Sequence, residues 1–170
     1  DFLSAVRCGD CHSAVESATA LWNSTGDDVS PYTLWRGSLK ANAFRDPFWR
    51  AQVSREVHGQ PERRAEIEGL CITCHAPIAH HRARHAGARA ESIEALLADE
   101  LAQEGVSCTV CHQARPDGLN TPATFGGALD VRPDGVIWGP FADPSGGPMI
   151  GQTGFTPLHG PHMRDAGLCG

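Results

Sequence analysis

The chain has 170 residues, of which 41% are hydrophobic and only 6% are aromatic, and its formal net charge is −6. This length suggests one domain, and the acidic balance argues against nucleic acid as a partner. No run of about 18 apolar residues is present, which argues against a transmembrane segment.

Helical segments are predicted in the first two thirds of the chain. Asp46 can cap one of them, with Pro47 in its first turn. The clearest carries a stripe of isoleucine and leucine at helical spacing and stops at Gly105. The predicted segments cover residues 14–22, 45–58, 61–70 and 92–103.

Beyond residue 113 the chain is rich in glycine and proline, which predicts long irregular loops. Within this region, the sequence Arg132-Pro133-Asp134-Gly135 is typical of a turn. It separates two short apolar runs, Ala128–Val131 and Val136–Trp138. We therefore predict one short β-hairpin in a fold that is otherwise mainly α.

A C-x-x-C-H motif occurs three times and uses six of the seven cysteines. This motif attaches c-type haem. Two thiols on one helical turn add across the two vinyl groups of one porphyrin, and the adjoining histidine supplies the proximal axial ligand of the iron. We therefore expect three covalently bound haems c, which form the core of the protein. The predicted attachment cysteines and proximal histidines are Cys8, Cys11 and His12; Cys71, Cys74 and His75; and Cys108, Cys111 and His112.

Paired cysteines also occur in other kinds of site. Two C-x-x-C pairs can bind zinc, but zinc does not explain why histidine follows all three pairs. A thioredoxin-like motif would occur once and in a βαβ context. A disulfide framework joins distant segments of a chain, and a two-residue gap between cysteines, repeated three times, does not indicate such pairing.

Histidines outside the motifs are candidates for the distal axial position. Two imidazoles close an iron to substrates and make an electron carrier, methionine in place of the second imidazole raises the potential, and an empty position permits catalysis. Met149 and Met163 are the methionine alternatives. The distal candidates are His58, His80, His81, His85, His159 and His162.

His162 is the strongest of these candidates. Pro157 and Pro161 restrict the backbone around it, and Gly154 and Gly160 allow close approach to a flat ring. His159, on the same loop, competes with it. His80 and His81 follow His75 too closely to reach the far face of the same haem, so we expect them to serve a neighbouring one.

The chain ends at Cys169-Gly170, where a fourth motif would begin. A free thiol is the simpler reading. We expect instead that residues 1–170 are a single cytochrome domain, cut from a longer chain inside a fourth haem motif at Cys169.

The order of these features resembles a known family. Trp35, Ser38, Ala41, Asp46-Pro47 and Trp49 precede the second motif, which continues as Ala76-Pro77; Gly105-Val106-Ser107 precedes the third; and Phe155–Cys169 closes the chain. This pattern resembles multihaem cytochromes c related to the tetrahaem cytochrome that accepts electrons in hydroxylamine oxidation. The resemblance implies closely paired haems, mostly helical segments and long-range electron transfer.

The resemblance also bears on the axial ligands. It supports His162, since a histidine shortly before the last motif is a distal ligand in that family. The chain departs from the family at Lys40, where the tetrahaem cytochrome offers a histidine, and at the incomplete fourth motif.

Three functions are compatible with these features. The first is an electron carrier with no catalytic residues, whose partners are redox proteins, including other cytochromes in a complex. The second is a haem enzyme that acts on a small nitrogen or oxygen species at a five-coordinate iron. The third is a structural subunit of a multihaem complex or filament. Covalent haem attachment predicts an exported bacterial protein in the periplasm or outside the cell.

Overall fold

The computed structural model describes residues 2–169, apart from the side chain of Cys169. The chain divides into two compact units, one formed by Leu3–Ser107 and the other by Asp1–Phe2 with Cys108–Gly170. The single domain expected over residues 1–170 stays a prediction. About half of the described chain is helical, so the mainly α class is confirmed.

The Leu3–Ser107 unit consists of short helices joined by tight turns. A 3-10 turn, Pro61–Arg63, leads directly into the fifth α-helix. The α-helices of this unit are α1 Ala5–His12, α2 Pro31–Arg36, α3 Leu39–Asn42, α4 Pro47–Gly59, α5 Arg64–His75, α6 Pro77–His85, α7 Ile93–Leu96 and α8 Glu100–Gln103.

Side-chain caps start most of these helices. The Asp46 carboxylate accepts a hydrogen bond from the Phe48 backbone N–H, and Pro47 opens α4, as the sequence predicts. The helix predicted over 61–70 also forms, but it continues through the second motif to His75. Serines cap α1, α2, α3 and α7 in the same way, namely Ser4, Ser30, Ser38 and Ser92.

One apolar cluster holds the Leu3–Ser107 unit together. The α4 helix contributes one face of it, and α5 packs against α4 along this face. Cys71 and Ile67 of α5 lie against the cluster. Its buried members are Phe44, Trp49, Val53, Val57, Ile72, Ala76, Ala79, Leu96 and Ala102.

Two of the helix predictions are wrong. Residues 14–22 are irregular, because Leu21 adopts a left-handed conformation with φ 68° and Trp22 forms an isolated bridge with Asp28. Residues 92–103 form two helices, α7 and α8. The Asp99 carboxylate accepts hydrogen bonds from the Leu101 and Ala102 backbone N–H groups, which ends one helix and starts the next.

The unit that begins at Cys108 contains a short helix, α9 Cys108–His112, and a small βαβ arrangement. Strand β1, Val136–Gly139, pairs in parallel with β2, Thr156–His159, and α10, Gly146–Thr153, connects them. Short 3-10 turns cover Phe125–Gly127, Pro161–Arg164 and Ala166–Cys169.

The predicted β-hairpin is therefore wrong. The turn at Gly135 is present, with φ 80°. However, Val131 bridges to Ala114 instead of pairing across the turn. The Gly135 carbonyl accepts from the Thr156 N–H at 2.8 Å, so the partner strand comes from further along the chain. Within residues 2–169, no helix is long and apolar enough to cross a membrane.

Candidate haem sites

All three C-x-x-C-H motifs are helical. The first ends α1, the second ends α5, and the third makes up α9. In each motif the two cysteines are three residues apart, so their side chains lie one above the other on the same helical face. The motif histidine is the last helical residue in all three cases. The chain thus repeats one local geometry three times, with paired thiols and an adjacent imidazole.

The helix of the first motif packs closely on α2. Gly9, between Cys8 and Cys11, is buried against the ring of Tyr32, and a Cβ at this position would lie 3.0 Å from two of the ring atoms. Only glycine lets the two helices approach so closely. His12 itself is exposed.

Glu104 fixes the start of this motif helix. Its carboxylate accepts from the Ala5 backbone N–H at 2.9 Å, from the Ser107 hydroxyl at 2.7 Å and from the Ser4 hydroxyl. A carboxylate at a helix N-terminus satisfies a free N–H and interacts favourably with the helix dipole. The residues just before the third motif are therefore joined to the first.

Replacing Glu104 with alanine should lower the stability of the Leu3–Ser107 unit by about 1–3 kcal/mol, because a partly buried N–H and two hydroxyls lose a charged acceptor. Thermal unfolding measures this loss. Glu91→Ala, at an exposed glutamate, is the matched control and should leave the unfolding temperature unchanged. Equal unfolding temperatures for both variants would contradict the role of Glu104.

His75 of the second motif is held on two sides. Its Nδ1 lies 2.8 Å from the Ala43 carbonyl oxygen, and its ring stacks on Trp49 with centroids 4.2 Å apart and planes 8° from parallel. A carbonyl oxygen can only accept a hydrogen bond, so Nδ1 carries the hydrogen and the Nε2 lone pair is directed away from this contact, where a metal could bind it. Burial raises the pKa of the nearby Cys71 thiol, and Cys74 raises it further.

His112 of the third motif is oriented by the same device. Its Nδ1 lies 2.6 Å from the Trp138 carbonyl oxygen on β1. The hydrogen is again fixed on Nδ1, and Nε2 keeps its lone pair. Two of the three predicted proximal histidines therefore have the tautomer that iron ligation through Nε2 requires.

Three of the distal candidates lie together on α6, a helix that the sequence analysis did not predict. His80 Nδ1 lies 3.3 Å from the hydroxyl of Thr73, inside the second motif. Burial lowers the pKa of His80, and the positive charge of Arg84 lowers it further. His81 is buried, and its ring centroid lies 5.2 Å from that of His80 and 6.4 Å from that of His85.

His162 is buried, with 8% of its surface exposed. Its Nε2 lies 3.0 Å from the Ala114 carbonyl oxygen, and its ring meets Trp138 edge-on at 5.6 Å. A Cβ on Gly160 would lie 2.5 Å from the His162 ring, so glycine leaves room for the imidazole at this position. His159, the competing candidate, is exposed on β2.

His58 lies apart from the other candidates, at the end of α4. It is exposed and borders a cleft of about 320 Å³ between α4, α5 and α7. Apolar residues of α4 and α7 line this cleft together with two arginines and two glutamates, Arg50, Arg64, Glu68 and Glu94.

A comparison with protein families decides the class. The profile described as "Cytochrome c554 and c-prime" matches residues 7–113, which is more than half of the chain. The chain belongs to this family. The matched segment begins one residue before Cys8 and ends one residue after His112, so it spans all three motifs. Searches of curated proteins and of solved structures found no match.

Membership in the cytochrome c554 and c-prime family confirms a multihaem cytochrome c and supports an electron-transfer protein with covalently bound haem c. Within residues 2–169, no three His, Cys, Asp or Glu side chains converge as a metal site. The matched segment excludes His159 and His162. The side chain of Cys169, the predicted fourth attachment point, lies outside the described residues.

The residues of this cytochrome fit haem c. Each motif offers two thiols on one helical turn, and His75 and His112 present Nε2. The unit beginning at Cys108 also contains buried polar atoms that have no hydrogen-bond partner among the described residues: Gln113 Oε1, Trp138 Nε1 and His162 Nδ1. Such atoms are costly to bury unless something pairs with them. The polar edge or the metal of a cofactor would supply that pairing.

Proposed function

We propose that this cytochrome carries three haems c and transfers electrons without bond-making chemistry. Bound haem supplies a one-electron change at its iron. The chain supplies the thioether attachment and the proximal imidazole for each haem. The proposed attachment pairs and ligands are Cys8/Cys11 with His12, Cys71/Cys74 with His75, and Cys108/Cys111 with His112.

One observation carries this proposal: the protein itself holds two of the three motif histidines, His75 and His112, in one orientation. The carbonyl oxygens of Ala43 and Trp138 accept hydrogen bonds from the Nδ1–H groups of His75 and His112, respectively. These hydrogen bonds hold each ring in one tautomer and raise the basicity of the other nitrogen. A ligand already in its working orientation loses little conformational entropy on binding, which suits an iron that must change oxidation state with little rearrangement.

Distal ligation distinguishes a carrier from an enzyme. His162 is buried and has an unpartnered Nδ1 among the described residues, which supports it as a distal ligand. His80 and His81 of α6 lie beside the second motif, and His80 Nδ1 is 3.3 Å from the hydroxyl of Thr73 within that motif. We propose that these imidazoles close irons to substrates, as a carrier requires.

The setting of the cytochrome follows from its cofactor and charge. Covalent haem attachment supports a periplasmic or extracellular location. The net charge of −6 favours redox partners with a basic docking face, because complementary charge steers association.

A reductive titration followed by visible and paramagnetic resonance spectra tests this function. We expect the holoprotein to accept three electrons per chain and to show low-spin six-coordinate features for each haem. A persistent high-spin ferric signal that shifts when cyanide or nitrite is added would contradict a pure carrier. Acceptance of fewer electrons would contradict the haem count.

Replacing His162 with alanine is expected to leave the haem content unchanged and to convert one iron to high spin or to a substitute ligand. One reduction potential should shift while the others stay nearly fixed, because the imidazole serves one iron. His159→Ala, at the exposed neighbour on β2, is the matched control and should leave all spectra unchanged. A fully low-spin spectrum for His162→Ala, or a change with His159→Ala instead, would remove His162 from the coordination sphere.

A further inference from the structure

The short segment from Ala43 to Trp49 contacts His75 on two sides. Ala43, which follows α3, accepts the His75 Nδ1 hydrogen at 2.8 Å, and Trp49, in the first turn of α4, covers the face of the ring. The hydrogen bond fixes where Nδ1 points. The stack fixes the rotation of the ring about its own bond to the chain. Together they leave the imidazole one orientation.

Neighbouring residues hold both Trp49 and the segment that contains Ala43 in place. Trp49 is 9% exposed, and its ring lies 5.5 Å from that of the fully buried Phe44. The Arg50 guanidinium donates to the Phe44 carbonyl at 2.9 Å and lies 5.3 Å from the Phe44 ring centroid. Because Trp49 is packed in this way, it has little freedom to move with the His75 ring, and it therefore restrains that ring.

We propose that Trp49 is a positioning residue that sets the orientation of His75 and, through it, the reduction potential of one haem. This inference rests on the proposed function, in which His75 is a proximal ligand. By keeping the ring in its stack, Trp49 keeps the Nδ1–H aimed at the Ala43 carbonyl. That hydrogen bond raises the basicity of Nε2, and a more basic ligand favours the ferric iron.

Loss of the stack between Trp49 and His75 is expected to raise the reduction potential of this haem. If the stack is lost, the ring turns and its hydrogen bond to Ala43 weakens. Nε2 then becomes a poorer donor, the ferric state loses stabilisation, and the potential of that haem rises. A purely structural role in the core cluster would lower stability without moving a potential, and this difference separates the two roles.

Three variants of the holoprotein test the proposal. Trp49→Leu keeps an apolar side chain but removes the ring, and it should raise one potential by about 59 mV, equivalent to a tenfold shift in the reduction equilibrium. It should also change one low-spin resonance signal. Trp49→Phe keeps a stacking ring, so its reduction potentials should stay close to those of the parent protein. Val53→Ala, on the same helix and in the same cluster, should lower the unfolding temperature and leave all potentials in place.

Unchanged potentials in Trp49→Leu, or an equal rise in Val53→Ala, would overturn the proposal. If Trp49→Leu does not fold, the parent protein still decides. In the diamagnetic ferrous state, proton NMR should show close contacts between the Trp49 indole and the His75 ring, and their absence would overturn the stack. Intact mass is recorded throughout, since a missing haem on the second motif would contradict the proposed function rather than the role of Trp49.

Discussion

Replacing Cys71 and Cys74 together with alanine is expected to remove one haem and to destabilise the Leu3–Ser107 unit more than replacing Cys8 and Cys11. The second motif lies in the core: Cys71 packs against the apolar cluster, and Ile72 and Ala76 beside it are fully buried. A haem attached there would be part of the core packing. Its loss should cost at least about 3 kcal/mol, the usual cost of truncating a large buried aromatic side chain.

The first motif provides the comparison. Its helix buries only Ala5 and Gly9, and Cys11 is exposed. Removal of Cys8 and Cys11 should therefore also remove one haem but lower the unfolding temperature less. Intact mass gives the haem count of each double variant, and thermal unfolding gives its stability. Full haem content in Cys71→Ala/Cys74→Ala, or equal destabilisation by the two double variants, would contradict this account.

Replacing Gly105 with alanine should be the most damaging of the glycine substitutions in this unit. Gly105 has φ 60°, and a Cβ there would lie 2.5 Å from the Lys40 carbonyl oxygen and 3.0 Å from the Ala43 nitrogen. The left-handed conformation costs about 1–2 kcal/mol for a residue other than glycine. The clash with fixed backbone adds about 1–3 kcal/mol. Displacement of Ala43 would also disturb the carbonyl that holds His75.

Substitutions at two other glycines separate the cost of the left-handed conformation from the cost of the clash. Gly87 has φ 67° with open space around its Cβ position, so Gly87→Ala should lose only the conformational part. Gly69 lies within α5, also facing open space, and Gly69→Ala should gain up to about 1 kcal/mol because alanine favours the helix. Denaturant unfolding measures all three. The expected order of stability is Gly69→Ala, Gly87→Ala, then Gly105→Ala, and similar losses at Gly87 and Gly105 would contradict the proposed clash.

Features set by neighbouring residues were predictable from the sequence. The cap by Asp46 and the first-turn Pro47 act within one turn, so the start of α4 could be predicted. The C-x-x-C-H spacing is likewise a property of a single helical turn. Asp99 is also local, but it competes with a strong apolar stripe, and the stripe alone favoured one continuous helix where two are found.

Long-range pairings could not be predicted in this way. The turn at Gly135 suggested a hairpin, yet β1 pairs with a strand beyond α10, and short apolar runs do not specify which partner they will meet. The contacts that orient the histidines are also distant in sequence: His75 meets Ala43 and Trp49, and His162 meets Ala114. The family resemblance drew attention to Trp49, but the sequence did not indicate its contact with His75.

The central claim is that each of the three motifs carries one covalent haem. Intact mass spectrometry of the holoprotein, followed by proteolysis and identification of the haem-bearing peptides, tests it most directly. We predict a mass excess of three haems and three modified peptides, which contain Cys8/Cys11, Cys71/Cys74 and Cys108/Cys111. Any of these peptides recovered with both thiols free from fully matured protein would contradict the account.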